Sequence, residues 1–206
     1  MLRRFRLAGL AVCFALAANV AVAGVSKNPA EAPNGAYSLD AAHSVVLFSI
    51  RHMELTEYYG RFNDMSGTLN FDGNQPARSH VSVSIATNSI DTPSPRLNRT
   101  LEGKDVFDAA NFPEATFEST SIVRDGDDHG QITGNLTIRN VTKPVTFDVT
   151  FIGTTRNALD DSPVLGFHAT TTIKRSDFGL TGMVWAPLVG DDVTLTIEAM
   201  FQQESR

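Results

Sequence analysis

From residue 37 onward, apolar and polar residues alternate with a period of two in one segment after another. A chain with that pattern folds as strands with one dry face and one wet face. Val81, Val83 and Ile85 alternate with Ser82, Ser84 and Ala86. Ile132, Gly134, Leu136 and Ile138 alternate with Thr133, Asn135, Thr137 and Arg139, and Val145, Phe147, Val149 and Phe151 with Thr146, Asp148 and Thr150. The last such run sets Val193, Leu195, Ile197, Ala199 and Phe201 against Thr194, Thr196, Glu198 and Met200. Segments 45–52, 60–71, 115–123 and 164–174 read as four further strands, with polar turns at 124–130 and 140–144. The fold class is all-β with about eight antiparallel strands, and closure into a barrel removes the edges that would otherwise aggregate. A sandwich is the other architecture. Strands of about 10 to 12 residues, tilted by about 40°, favour the barrel, with a wall on the order of 25 to 30 Å tall.

Segment 88–120 breaks the alternation. Pro93 and Pro95 stop a strand, because each lacks a donor and biases the residue before it. Leu97, Leu101 and Phe107 then recur at helical rather than strand spacing, which predicts a short helical insert between the third and fourth strands. Such a stripe must bury itself, and the open end of a barrel is the apolar surface at hand. The insert would therefore plug or gate the barrel, or else Leu97, Leu101, Phe107 and Phe112 would simply complete its core.

The N-terminus reads as an export signal over 1–23: Arg3, Arg4 and Arg6 precede an uncharged run, and Ala21-Val22-Ala23 offers a small-x-small cleavage site before Gly24. A short membrane anchor is the competing reading, for which the apolar run is short. Residues 24–35, with Pro29 and Pro33, read as a flexible leader, and 36–203 as the barrel domain. Cys13, the sole cysteine, lies within the signal, so the exported chain would have neither a disulfide nor a reactive thiol. Net charge is −6 at pH 7, and loss of the three signal arginines takes it to about −9. That balance argues against nucleic acid as a partner, and it implies that any transient membrane contact is hydrophobic.

The residues offer little for catalysis. No G-x-S-x-G elbow is present, and the five histidines lack metal-binding spacing. His43 and His52, nine residues apart, would point to opposite faces of one regular strand unless a bulge intervened. No catalytic residue, metal or cofactor is assigned. The candidate lining of a ligand tunnel is Phe48, Phe62, Leu69, Phe71, Leu97, Leu101, Phe107, Phe117, Phe147, Phe151 and Trp185. Asp40, His43, Asp91 and Arg96 are the polar candidates for its mouth.

Several of these motifs occur together in a known family. Tyr37-Ser38-Leu39-Asp40, His43-Ser44, Gly60-Arg61-Phe62, Ser89-Ile90-Asp91-Thr92, Asp105-Val106-Phe107-Asp108, Phe117-Glu118-Ser119-Thr120, Gly134-Asn135-Leu136-Thr137, Val141-Thr142-Lys143-Pro144 and Asp177-Phe178-Gly179 follow in order. With them the chain resembles the YceI-like family of exported bacterial proteins over nearly all of 36–203. The resemblance implies an extended eight-stranded lipocalin-like barrel whose apolar tunnel binds long-chain lipids, including polyisoprenoids, isoprenoid quinones or fatty amides. It also implies a periplasmic binding, transport or buffering role with no reaction. Secreted capture of hydrophobic antibiotics or other amphiphiles is the alternative, with a hydrolase or isomerase using a mouth histidine as the third. An exposed strand edge at the barrel seam would allow a homodimer. The chain departs from the family at Leu97-Asn98-Arg99-Thr100-Leu101, where relatives often carry Arg-Asp-x-His-Leu, so headgroup contacts made there do not carry over. Asn140 replaces a family glycine, and asparagine tolerates a positive φ.

Overall fold

The computed structural model describes residues 24–182 and 186–204. The expected export signal and Trp185 lie outside them. The strands are β1 (Gly35–Leu39), β2 (Val45–His52), β3 (Thr56–Phe62), β4 (Met65–Phe71), β5 (His80–Ala86), β6 (Ile90–Asp91), β7 (Glu114–Arg124), β8 (His129–Ile138), β9 (Val141–Arg156), β10 (Pro163–Lys174) and β11 (Val189–Gln203). One α-helix, α1 (Pro95–Glu102), follows β6. Every ladder is antiparallel.

The pairing order reduces these strands to a closed eight-stranded barrel. β1 and β2 are halves of one bent strand, as are β3 and β4, and β5 and β6: β2 pairs β3 and β1 pairs β4, while β4 pairs β5 and β3 pairs β6. From β7 to β11 each strand pairs with the next in sequence, except that β5 supplies the partner before β7. The long β11 closes the ring by pairing with β10 along one edge and with both β1 and β2 along the other. The alternation therefore resolves as expected, with the apolar set of each strand turned inward. Leu136, Phe147, Leu165 and Phe201 are 5%, 6%, 0% and 3% exposed.

Two of these bends are held by backbone and side-chain hydrogen bonds that stand in for the ladder. Between β1 and β2, the Asp40 N–H donates to the Met200 carbonyl at 2.8 Å, and the Met200 N–H donates to Ser44 Oγ at 3.0 Å. Between β5 and β6, Thr87 is fully buried and donates its hydroxyl to the Phe112 carbonyl at 2.8 Å. A register shift in β7 between Ser119 and Ser121 is repaired in the same way, Ser119 Oγ accepting the Val81 N–H at 2.9 Å. A buried peptide group without such a partner would cost about 1–3 kcal/mol.

Two local expectations change. The turn expected over 140–144 is shorter, because β9 begins at Val141 and Pro144 pairs with Asn135. β10 accompanies β9 only as far as Asp148, so Pro144 sits where one edge of its strand has no ladder to supply, the position a strand proline requires. The left-handed residue of that turn is Arg139, at φ 56°, and not Asn140. The leader does not run free of the barrel: Ser26 and Thr154 exchange backbone hydrogen bonds of 2.9 and 2.8 Å, and Pro29 and Ala32 are buried.

Tyr37 ties this N-terminal segment to the core. It is fully buried and donates its hydroxyl to the Pro33 carbonyl at 2.6 Å, and burial pushes its phenol up to about 12 from an ordinary value of 10.0. The folded protein thus keeps a proton that the unfolded chain loses first. This contribution to stability is complete below pH ~10 and disappears as pH rises towards ~12. Tyr37→Phe should lower stability at pH 7 by about 1 kcal/mol and flatten that alkaline loss. Thermal melts of both proteins between pH 7 and 12 check this, and equal alkaline slopes would remove Tyr37 as the cause.

Candidate ligand-binding tunnel

The inward faces of the strands enclose a lumen capped at one end by α1. Ser94 caps the helix by accepting the Leu97 N–H at 3.3 Å, and Pro95 opens its first turn, where a missing donor costs nothing. Asn98 staples it to the barrel: its Oδ1 accepts the Thr92 N–H at 2.9 Å and the Thr92 hydroxyl at 2.6 Å. Asn98 is one of the positions that depart from the family pattern, and here it positions the lid. Behind the helix the chain turns so that Phe107 donates its N–H to the Leu101 carbonyl at 3.0 Å and Val106 becomes 3% exposed. Leu97 and Leu101 then face the lumen from above.

Beneath the lid is a cavity of about 600 Å³, within the usual range for small-molecule sites. Of the candidate lining, Phe48, Phe62, Leu97, Leu101 and Phe107 border it, with Val46, Ile50, Ile90, Val106, Leu136, Ile138, Leu180, Leu188, Val189 and Val193. A narrower chamber of about 130 Å³ continues down the barrel between Leu69, Phe117, Phe147, Phe167 and Ile197 and shares Val46, Ile85, Leu136 and Leu195 with the first. Below it the tube narrows at an aromatic floor, beyond which a cavity of about 90 Å³ lies against Phe71, Phe151 and Phe167. Phe71 stacks on Phe151 with centroids 6.3 Å apart, Phe167 meets Phe151 at 5.4 Å, and Phe201 meets Phe167 at 6.0 Å. Phe71 and Phe151 therefore constrict the tunnel and do not line its wide part, because Phe71 ends β4 and Phe151 lies in the half of β9 farther from α1.

Two glycines keep the bore open. A Cβ on Gly60 would collide with the Phe48 ring, its cross-strand partner, and a Cβ on Gly134 would collide with the Phe117 ring. Each ring lies in the space a side chain would occupy, flat against the wall. The Phe62 ring then meets Phe48 at 5.9 Å and Phe107 at 5.7 Å, so one aromatic run links wall to lid.

The four polar candidates are elsewhere. Asp40 and His43 form the bend between β1 and β2: Asp40 accepts the Ala42 N–H at 3.0 Å and meets His43 Nδ1 at 2.7 Å, a hydrogen bond that holds the Asp40 carboxyl below its ordinary range. Asp91 points outward, where hydrogen bonds from Asn63 and then Arg61 lower its carboxyl, and Arg96 is exposed on the outer side of α1. None of the four borders the cavity. Its polar boundary is instead His52, Tyr58, Thr92 and Arg175. Arg175 donates to the carbonyls of Gly190 and Leu180 at 2.8 Å each, which holds those two residues beside the mouth. His52 and Tyr58 share the parity of Phe48 and Phe62 and were within reach of the strand pattern; Thr92 and Arg175 stand beyond strand ends, where parity carries no information. His43 and His52 do not share a strand: His43 lies in the bend before β2 and His52 at the lumen, so strand parity does not relate them. Among the described residues no three His, Cys, Asp or Glu side chains converge on a metal position. Ser119 Oγ lies 3.1 Å from His80 Nδ1, but at 6% exposure it serves the strand ladder and presents no open nucleophile.

Because the Phe48 ring occupies the place of the Gly60 side chain, Gly60→Ala should drive the ring into the lumen. We expect a destabilisation of about 1–3 kcal/mol and a clear loss of uptake of an apolar fluorescent probe. Adding Phe48→Ala should recover uptake. A double-mutant cycle on melting and probe binding measures the coupling, and additive effects would show that the ring does not set the bore.

The YceI-like domain model matches residues 37–201. A UPF0312 protein from Pectobacterium atrosepticum is 39% identical over 145 residues, covering 70% of this chain and 74% of its own length. One from Yersinia pseudotuberculosis is 40% identical over 147 residues, covering 70% and 76%. Among solved structures, Burkholderia cenocepacia BcnA superposes with a TM-score of 0.70 at 29% identity, covering 79% of this chain and 98% of that one. The Campylobacter jejuni YCEI protein gives 0.66 at 28% identity, covering 75% and 90%. A polyisoprenoid binding domain from Saccharophagus degradans shares the fold, with a TM-score of 0.65 at 18% identity, covering 82% and 98%. A closed barrel of this topology, matched by the domain model from its first core tyrosine to its last core phenylalanine, belongs to the YceI-like family.

Proposed function

We propose that the protein is a periplasmic, non-catalytic carrier or buffer of one long-chain isoprenoid lipid, a polyprenyl chain or an isoprenoid quinone. The observation that carries this reading is the pair of adjoining cavities of about 600 Å³ and about 130 Å³, which share Val46, Ile85, Leu136 and Leu195 and are walled by aliphatic and aromatic side chains from Leu97 and Leu101 at the lid to Phe147 and Phe167 near the floor. Such a wall offers an acyl or prenyl chain contact along its length and offers a polar substrate almost nothing to hydrogen-bond. The polyisoprenoid-binding name of the Saccharophagus domain supports the choice of isoprenoid, and the export-signal pattern of residues 1–23 supports the periplasm.

The energetics suit a carrier. Moving a buried methylene into water costs about 0.8 kcal/mol. Moving it from a bilayer into this lumen costs little, because both surroundings are dry. Exchange is then nearly balanced, and tunnel length and the polar rim select the cargo.

Protein purified from its own host should carry one lipid per chain, visible by native mass spectrometry and identifiable after solvent extraction. Leu101→Trp, which fills the lumen from the lid, should lower lipid occupancy by about tenfold while shifting stability by less than about 2 kcal/mol. An empty lumen in protein isolated from its host would sink the reading. An amphiphilic antibiotic in place of an isoprenoid would instead favour a sequestering lipocalin.

A further inference from the structure

Met53 and Leu55 at the tip of the β2–β3 hairpin are 52% and 76% exposed, and Leu188 beside them is 49% exposed. The tip is fixed in place: Leu55 donates its N–H to the His52 carbonyl at 3.0 Å, and Met53 donates its N–H to the Leu188 carbonyl at 2.7 Å. Met53 and Glu54 both adopt left-handed backbone angles, φ 53° and 57°, at positions where hairpins favour glycine or asparagine. Tyr59, 63% exposed, stands farther along the outer face of β3, beyond the Arg51–Glu57 pair. His52 and Leu188 also line the lumen, so this exposed rim and the mouth of the cavity are one continuous surface.

Charge is distributed to match. At the mouth, Arg51 pairs with Glu57 at 3.0 Å, and the lid segment carries Arg96, Arg99 and Lys104 against Glu102, Asp105 and Asp108. Glu54 is the carboxylate left on the tip itself. The mouth also carries Asp177, Asp191 and Asp192, set against Lys174 and Arg175, whereas the opposite end carries Asp125, Asp127 and Asp128 in one turn and Asp160 and Asp161 in another against Arg124 and Arg156, so the unpaired excess of carboxylates lies away from the mouth. Leu159, 95% exposed, lies in that acidic turn and gains no comparable setting.

From the exposed rim, its continuity with the lumen and this charge asymmetry, we infer that the Met53–Leu55–Leu188 rim docks shallowly on a lipid bilayer, with the mouth facing the membrane. The inference rests on the lipid-carrier reading and names the partner of that same site. A long apolar chain leaving a bilayer for this lumen meets a penalty that grows with each methylene exposed to water. A rim whose apolar side chains enter the interface shortens that passage, and the remote carboxylates keep the acidic end away from anionic headgroups.

Flotation with phosphatidylethanolamine–phosphatidylglycerol vesicles and with phosphatidylcholine vesicles tests this, paired with native mass spectrometry of the same preparations. The full protein should float with both compositions and stay bound in 0.5 M salt. Leu55→Asp and Met53→Asp should each lower vesicle partition by about tenfold without shifting the melting temperature. Transfer of the resident lipid to vesicles should slow in parallel. Equal flotation of wild type and both variants, binding abolished by salt, or a self-association through the rim that Leu55→Asp breaks without any vesicle binding would each overturn the inference. Protein that carries lipid but does not float removes the docking rim and leaves the carrier reading intact. Protein that floats with an empty lumen does the reverse.

Discussion

The structure depends on the way β11 closes the ring. It pairs with β10 along one edge and with β2 and then β1 along the other, so a single long strand seals a wall whose first strand is bent. Closure has two effects. It covers the edges that β1 and β11 would otherwise present, and it forces inward side chains to face one another across a curved interior. Given the alternation, that interior is necessarily apolar. The lumen is thus a product of closure and of a shortage of bulk where Gly60 and Gly134 stand, and not of any dedicated binding loop.

The fold was legible because a period of two carries its own facing. Val81, Val83 and Ile85, or Val193 through Phe201, needed no partner to reveal which side is dry, and the structure places these sets inward. The insert was legible for a complementary reason, since two prolines and a helical spacing cannot continue a strand. Where the sequence pattern failed, the cause was an interruption. Pro144 suggested a turn but occupies a strand position with one free edge, and Arg139 took the positive φ that chemistry would have assigned to Asn140.

The site was partly legible. Strand parity selects side chains that point inward but gives no depth along the barrel, which is why Phe71 and Phe151 were grouped with Phe48 although they form the floor. The polar candidates failed for a different reason. Asp40, His43 and Asp91 carry chemistry that suits a mouth, yet strand bends consume it: Asp40 caps the turn that lets β1 become β2, and Asp91 anchors the approach to α1 through Arg61 and Asn98. The polar groups that do border the lumen include Thr92 and Arg175, whose positions depend on how loops fold back over the barrel.

The rings of Phe71, Phe151 and Phe167 narrow the tube at the end opposite α1, and a tube with one wide end has a direction. A molecule with one oily and one polar end fits it in one sense, with the tail inward and the polar group left at the rim among His52, Tyr58 and Arg175. Cargo held in this way is presented head outward. A protein that has to recognise it would meet the chemically distinctive end first, while the tail stays hidden from water and from enzymes that cut or oxidise chains.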